Sequence, residues 1–142
     1  MPARTGQQYL DGLRARQREI WLGGERVHDV TTHPALAHGA HAIASLYDLQ
    51  CQASLRDAMT YRSPTTGDPV GLSFIVPRSQ DDLVRRREMM LQWARATCGM
   101  MGRSPDFMNV TFEAWAAAGD YFSRGRPEFG DNMRRYYEHI RE

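Results

Sequence analysis

Apolar residues recur at helical spacing along most of the chain, and the exceptions are two short runs interrupted by glycine-containing turns. Thr5-Gly6-Gln7-Gln8 has the capping-box pattern, and Tyr9, Leu10 and Leu13 follow it as a short apolar stripe. Ile20-Trp21-Leu22, Gly23-Gly24 and Glu25-Arg26-Val27 read as a small hairpin with a glycine turn. Pro34 opens a helix to about Gln50 that gathers Leu36, Ala40, Ile43, Leu46 and Tyr47 on one face. Met59-Thr60-Tyr61 and the run Val70 to Val76 flank the turn-rich stretch Ser63 to Asp68, which predicts a second hairpin. Ser79 caps a long helix with Asp81 and Asp82 in its first turn and Leu83, Met90, Leu91, Ala94 and Cys98 on its buried side. A further helix runs from Ser104 to about Phe122, with Met108, Phe112, Trp115 and Phe122 as its core positions. The stretch Gly125 to Pro127 breaks that helix. A last one begins near Phe129 and carries Met133, Tyr136, Tyr137 and Ile140. The pattern predicts a mainly α chain with two short β-hairpins, near residues 19–28 and 59–76. The last stretch, Arg134 to Glu142, has no closing glycine or proline. The expectation is therefore an N-terminal helical domain, residues 1–142, of a longer polypeptide.

The most informative stretch is Gly99-Met-Met-Gly102-Arg103-Ser104-Pro105-Asp106-Phe107-Met108-Asn109. Gly102 suits the left-handed position that closes a helix, Ser104 suits the next N-cap, and Pro105 and Asp106 suit the first turn. Helices over 79–101 and 105–122 are thus expected to meet at Gly102 to Ser104. Arg103 falls at the junction, beside unpaired backbone N–H groups and the positive end of a helix dipole. That combination suits an anion such as a carboxylate, a phosphate or a phenolate. The same spacing also describes an arginine that only bonds the last carbonyls of the preceding helix.

Composition narrows the classes. A chain of 142 residues supports one modest core. No run of about eighteen apolar residues suggests a membrane span, and the first residues lack the apolar centre of a signal peptide. The net charge of +1 gives no global field for nucleic acid. Every basic residue other than histidine is arginine, which reads as codon bias in a GC-rich genome. Cys51 and Cys98 stand alone and read as reduced thiols in a cytoplasmic protein. His28, His33, His38 and His41 lie close together, but no HExxH pattern or acidic ligand set accompanies them, so solvated or capping roles are expected and no metal. Arg85-Arg86-Arg87 faces Asp81, Asp82 and Glu88 and reads as a salt-bridged exposed face. Trp93, Trp115, Tyr136 and Tyr137 are of a type that can stack on an aromatic ligand, though such residues at helical spacing usually form core. No GxGxxG or Walker loop is present, so any flavin site would be built largely from other sequence.

The segment GMMGRSPDF resembles the corresponding stretch in the large component of two-component, reduced-flavin-dependent phenol hydroxylases, the 4-hydroxyphenylacetate 3-monooxygenase family. The resemblance extends over nearly the whole chain. It takes in Arg4-Thr5-Gly6, Tyr9-Leu10, Thr31-Thr32-His33-Pro34, Leu46-Tyr47-Asp48-Leu49, Asp120-Tyr121-Phe122 and Tyr136-Tyr137. It implies an acyl-CoA-dehydrogenase-like flavoenzyme whose middle β domain and C-terminal helical bundle lie outside this chain. It further implies FADH2 delivered by a separate flavin reductase, O2 as co-substrate, ortho-hydroxylation of a phenol, and a homo-oligomer (tetramer or dimer) that uses neither nucleic acid nor membrane. In the family an arginine of the GRSPD motif, a tyrosine four residues later and a more distal histidine hold the phenol oxygen. Arg103 matches the arginine and is the expected catalytic residue. Ser104, Pro105, Asp106 and Phe107 are expected to line the substrate site with it, and the histidine is expected just past Glu142. Phe107 stands where the family has tyrosine, which removes a donor worth about 1.5–3 kcal/mol to a charged oxygen. A bulkier or less polar phenol, or a loss of hydroxylase activity, follows as an expectation.

Two other readings remain open from the residues. One is the related flavin-dependent hydroxyacyl-CoA dehydratase branch, which needs clustered cysteines for an iron–sulfur centre; Cys51 and Cys98 are far apart. The other is a non-enzymatic helical interaction domain in which the GRSPD segment is only a helix–helix corner.

Overall fold

The computed structural model describes residues 3–16, 18–99 and 105–142, with Pro105 and Asp106 described by backbone only. The elements run α1 (Gly6–Ala15), β1 (Ile20–Leu22), β2 (Glu25–Val27), α2 (Ala37–Cys51), α3 (Arg56–Met59), β3 (Thr60–Arg62) and β4 (Pro69–Gly71). A 3₁₀ turn (Leu72–Phe74), α4 (Gln80–Ala96), α5 (Pro105–Ala117), α6 (Gly119–Phe122) and α7 (Pro127–Arg141) complete the chain. The strands form two separate antiparallel hairpins, with Trp21 opposite Arg26 in one and Tyr61 opposite Val70 in the other. The expected mainly α architecture with two hairpins is what the chain adopts.

The first motif pair explains itself structurally. Thr5 caps α1, accepting from the Gln8 N–H at 3.2 Å while the Gln8 side chain accepts from the Thr5 N–H at 2.9 Å. The Gly6 N–H then donates to Asp48 Oδ1 on α2 at 2.7 Å, and the Arg4 carbonyl accepts from Gln50 Nε2 at 3.3 Å. Arg4-Thr5-Gly6 and Leu46-Tyr47-Asp48-Leu49 therefore form one joint, closed by stacking of Tyr9 on Tyr47 at 5.0 Å between centroids. Below it Leu10, Ala40 and Ala44 make a small core with Tyr9 and Leu13. A Cβ on Gly6 would lie 2.4 Å from the Ala44 carbonyl oxygen, a backbone atom that cannot swing aside. Gly6→Ala is expected to destabilise the fold by roughly 1–3 kcal/mol despite alanine's better helix propensity. Thermal or denaturant unfolding checks this, and an unchanged midpoint would show that α1 is free to shift.

The main core joins Leu46, Met59, Leu72, Ile75, Met89 and Trp93, packed against by Leu49, Leu55, Tyr61 and Met90. Several boundaries and faces differ from the sequence reading. The second helix starts at Ala37, because Pro34 to Leu36 form a turn in which the His33 carbonyl accepts from the N–H groups of Leu36 and Ala37. The run Val70 to Val76 pairs only through Gly71 and then curls into the 3₁₀ turn. On α4, Met89 and Trp93 are buried, whereas Leu83 is 50% exposed and Cys98 is exposed. The long helix expected after Ser104 breaks at Ala118. The break lets Gly119 meet Gly130 of α7 so closely that a Cβ on Gly130 would sit 2.4 Å from the Gly119 oxygen. The last helix starts at Pro127, two residues before the expected Phe129, with proline in its first turn.

The largest reversal is on α5. Met108 and Trp115, expected in the core, are 44% and 43% exposed, and Phe112 and Phe122 are half-buried. The buried side instead carries Glu113 and Ala116, with Asn109 half-buried beside them. The cause is polar: Asn109 Nδ2 donates to Ser73 Oγ at 2.9 Å, and Glu113 pairs with Arg86 of α4 at 3.2 Å. Phe112 contacts Trp115 and Tyr136 edge to face, at 5.5 and 5.0 Å between centroids, on the outward side.

Candidate functional site

α4 closes earlier than the position assigned to Gly102. Thr97 ends it, Cys98 takes the left-handed conformation at φ 53°, and Gly99 follows at φ 82°. The Gly99 N–H donates to the Ala94 carbonyl at 2.8 Å, the six-to-one bond of a Schellman closure. A cysteine thus occupies the position usually given to glycine, which no apolar periodicity signals. α5 begins at Pro105, within the GRSPD segment, and is separate from α4. Arg103 and Ser104 lie outside the described residues, as does the assigned Gly102 closure. Pro105 and Asp106 occupy the first turn of α5. Phe107 in that turn is 56% exposed, and its carbonyl accepts from Thr111 Oγ1 at 2.9 Å. The ring that stands in the family's tyrosine position is therefore on the surface of this chain rather than in its core.

A cleft of about 450 Å³ runs beside α5. Asn109 and Phe112 of α5, Tyr136 and His139 of α7, and Arg4 and Tyr47 from the first joint contribute to its walls. Burial raises the Tyr47 hydroxyl's pKa, and the Arg4 charge partly opposes that. At the end of α7, Arg141 is buried and donates to Thr65 Oγ1 at 2.6 Å and to Glu142 Oε1 at 2.8 Å. Burial opposes ionisation of Glu142, but hydrogen bonds from Ser63, Thr66 and Arg141 outweigh it and hold the carboxyl down at about 2. The end of α7 is in this way pinned to the loop of the second hairpin.

The remaining candidates separate clearly. Arg86 does not belong to a solvated face: its side chain is 15% exposed and its Nη1 reaches both Glu113 and the Ile75 carbonyl. Arg87 pairs with its neighbour Glu88 at the surface, at 3.6 Å. His33 Nδ1 accepts from the Ala35 N–H at 3.2 Å, a capping role. Thr31, 2% exposed, is bound by Asp29 and Arg14, which fixes the Thr-Thr-His-Pro turn. Trp93 and Tyr137 are core, and Trp115 and Tyr136 lie on the outward side of α5 and α7. Asn109, Ser73 and the Arg86–Glu113 pair were missed in the sequence. Only the polar i, i+4 spacing of Asn109 and Glu113 on an otherwise apolar helix hints at them.

The chain matches the family described as 4-hydroxyphenylacetate 3-hydroxylase N terminal over residues 5–142. A 4-hydroxyphenylacetate 3-monooxygenase oxygenase component from Geobacillus sp. (strain PA-9) is 45% identical over 142 residues, which is 100% of this chain and 28% of that protein. The crystal structure of the oxygenase component of 4-hydroxyphenylacetate 3-monooxygenase complexed with FAD and 4-hydroxyphenylacetate superposes with a TM-score of 0.89 at 42% identity. It is covered over 98% of this chain and 28% of that one. An oxygen-tolerant archaeal 4-hydroxybutyryl-CoA dehydratase from N. maritimus shares the fold alone, with a TM-score of 0.79 at 20% identity, over 98% of this chain and 27% of that one. The chain spans a little over a quarter of the length of these relatives, and it belongs to the 4-hydroxyphenylacetate 3-hydroxylase N-terminal family.

Proposed function

We propose that this chain is the N-terminal part of the oxygenase component of a two-component monooxygenase. The enzyme hydroxylates a phenol ortho to its hydroxyl with FADH2 and O2. The observation that carries this is the family match over residues 5–142, with α4 closed at Thr97 and a separate α5 starting at Pro105 of the GRSPD segment. An aromatic carbon becomes a better nucleophile when its phenol oxygen carries negative charge, and a fixed cation at that oxygen stabilises the charge as it develops. Arg103 is assigned that work, with Ser104, Pro105, Asp106 and Phe107 lining the same side of the substrate. Phe107 supplies a ring face and no hydrogen bond, which favours phenols larger or less polar than 4-hydroxyphenylacetate.

The strands of the described residues are three residues long and closed into hairpins, unlike the parallel strands that present a glycine turn to a pyrophosphate. FAD is assigned to a middle β domain and a C-terminal helical bundle of the full-length protein, as the family resemblance implies. The flavin would supply the activated oxygen, and this chain would orient and polarise the phenol. A flavin reductase partner, a homo-oligomer and a cytoplasmic location complete the proposal.

The test is turnover by the full-length protein with a flavin reductase and a panel of phenols, read as catechol formed per O2 consumed. Coupled hydroxylation of at least one phenol is expected. Phe107→Tyr should raise kcat/KM for 4-hydroxyphenylacetate by roughly tenfold to a hundredfold, the worth of one hydrogen bond to a charged oxygen. No catechol from any phenol would overturn the reading, and an unchanged Phe107→Tyr preference would remove Phe107 from the substrate site.

A further inference from the structure

The 3₁₀ turn Leu72–Phe74 and the following Ile75 collect polar contacts from β3, α4, α5 and α7. Ser73 Oγ accepts from Asn109 of α5 at 2.9 Å. The Phe74 carbonyl accepts from Tyr61 of β3 at 3.2 Å and also from the Tyr137 hydroxyl of α7. The Ile75 carbonyl accepts from Arg86 of α4 at 3.4 Å, and the same Arg86 nitrogen holds Glu113 of α5. Leu72 and Ser73 are each 1% exposed, so the turn is at the centre of the molecule. Apolar contacts are non-directional and let a helix slide or rotate, whereas hydrogen bonds fix position along and around its axis. The inward side of α5 holds its place through Asn109 and Glu113, and its large apolar residues Met108 and Trp115 point away.

We infer that Ser73 and Asn109 are positioning residues: their bond, at the hub of the 3₁₀ turn, sets the register of α5 and so the placement of Phe107 against the phenol. The inference rests on the proposed hydroxylase reading for its catalytic consequence and on geometry alone for its structural one. Asn109 and Phe107 lie on the same helix, so a rotation of α5 about its axis moves Phe107 directly. Asn109→Ala improves intrinsic helix propensity, so loosening of α5 in that variant cannot come from a weaker helix.

The experiment uses full-length wild type, Asn109→Ala, Ser73→Ala and Asn109→Asp, whose carboxylate can still accept from the Ser73 hydroxyl. Amide hydrogen exchange and coupling of O2 consumption to catechol are both read. In the two alanine variants, amides of residues 107–111 should exchange roughly fivefold to tenfold faster, with α1 and α2 unchanged. Coupling should fall severalfold at saturating phenol while total O2 consumption holds, and Asn109→Asp should recover most of it. Wild-type exchange at 107–111 in both alanine variants would overturn the inference. So would a lower melting temperature with local exchange and coupling unchanged, since that is a structural bond only. If wild type hydroxylates no phenol, the hydroxylase reading fails, and exchange at 107–111 still decides whether the bond sets α5.

Discussion

Arg103→Lys in the full-length protein is expected to cut hydroxylation by about a hundredfold, the usual cost of losing one donor to a developing oxyanion. A lysine keeps the charge but loses the planar fork that holds an oxygen and a second acceptor together. Consumption of reduced flavin and O2 should continue near the wild-type rate, because that part of the reaction needs no polarised phenol. The oxygen should then appear as hydrogen peroxide in place of catechol. Rapid-mixing absorbance with product and peroxide analysis separates the two outputs. Wild-type rate and coupling in Arg103→Lys would reduce Arg103 to a helix-end bond and take the function away from this corner.

The second large effect is on stability, at the Arg86–Glu113 pair. Glu113 is 7% exposed at its side chain, and burial pushes its carboxyl up from the ordinary glutamate range while Arg86 pulls it back. Arg86→Met removes that opposing charge and leaves a buried carboxylate, at an expected cost of about 3 kcal/mol near neutral pH. A carboxyl whose folded pKa lies above its unfolded value costs stability only where it is ionised. The penalty is complete above the folded pKa and disappears as pH falls below the unfolded one. Lowering the pH from neutral toward 4 should therefore bring Arg86→Met back toward wild type. The double variant Arg86→Met with Glu113→Leu should lie within about 1 kcal/mol of wild type, because no charge is left buried. Denaturant unfolding across pH measures all three. A double variant as unstable as the single one would show that packing around Arg86, not its charge, carries the effect.

These contacts also mark where sequence reading succeeds and stops. Local chemistry was legible: the Thr5–Gln8 box, the Ser79 cap on Asp82 and the Gly23-Gly24 hairpin each depend on neighbours in the chain. What depended on distant partners was not. Met108, Phe112 and Trp115 form a regular apolar stripe, and only the polar spacing of Asn109 and Glu113 hints that Ser73 and Arg86 will draw the neighbouring face inward. Arg86 sits in a run of three arginines, and only the fold distinguishes it from Arg85 and Arg87. The end of α4 was missed because Cys98, without glycine's freedom, takes a left-handed backbone there. For the candidate site, the two flanking helices and the family tie came from the motif itself. The seating of α5 came only from three-dimensional packing.

The central turn also imposes an order on the birth of the protein. The Phe74 carbonyl waits for Tyr137, a partner 63 residues further along the chain. The α1–α2 joint needs a span of only 42 residues to close between Gly6 and Asp48. At a synthesis rate of about 5–20 residues per second, the interval before Tyr137 is made lasts roughly 3–13 seconds. During that interval Tyr61, made before the hub, is the one of its two tyrosine donors able to hold the acceptor. The N-terminal joint can form on the ribosome while the second donor to the hub is missing until α7 emerges.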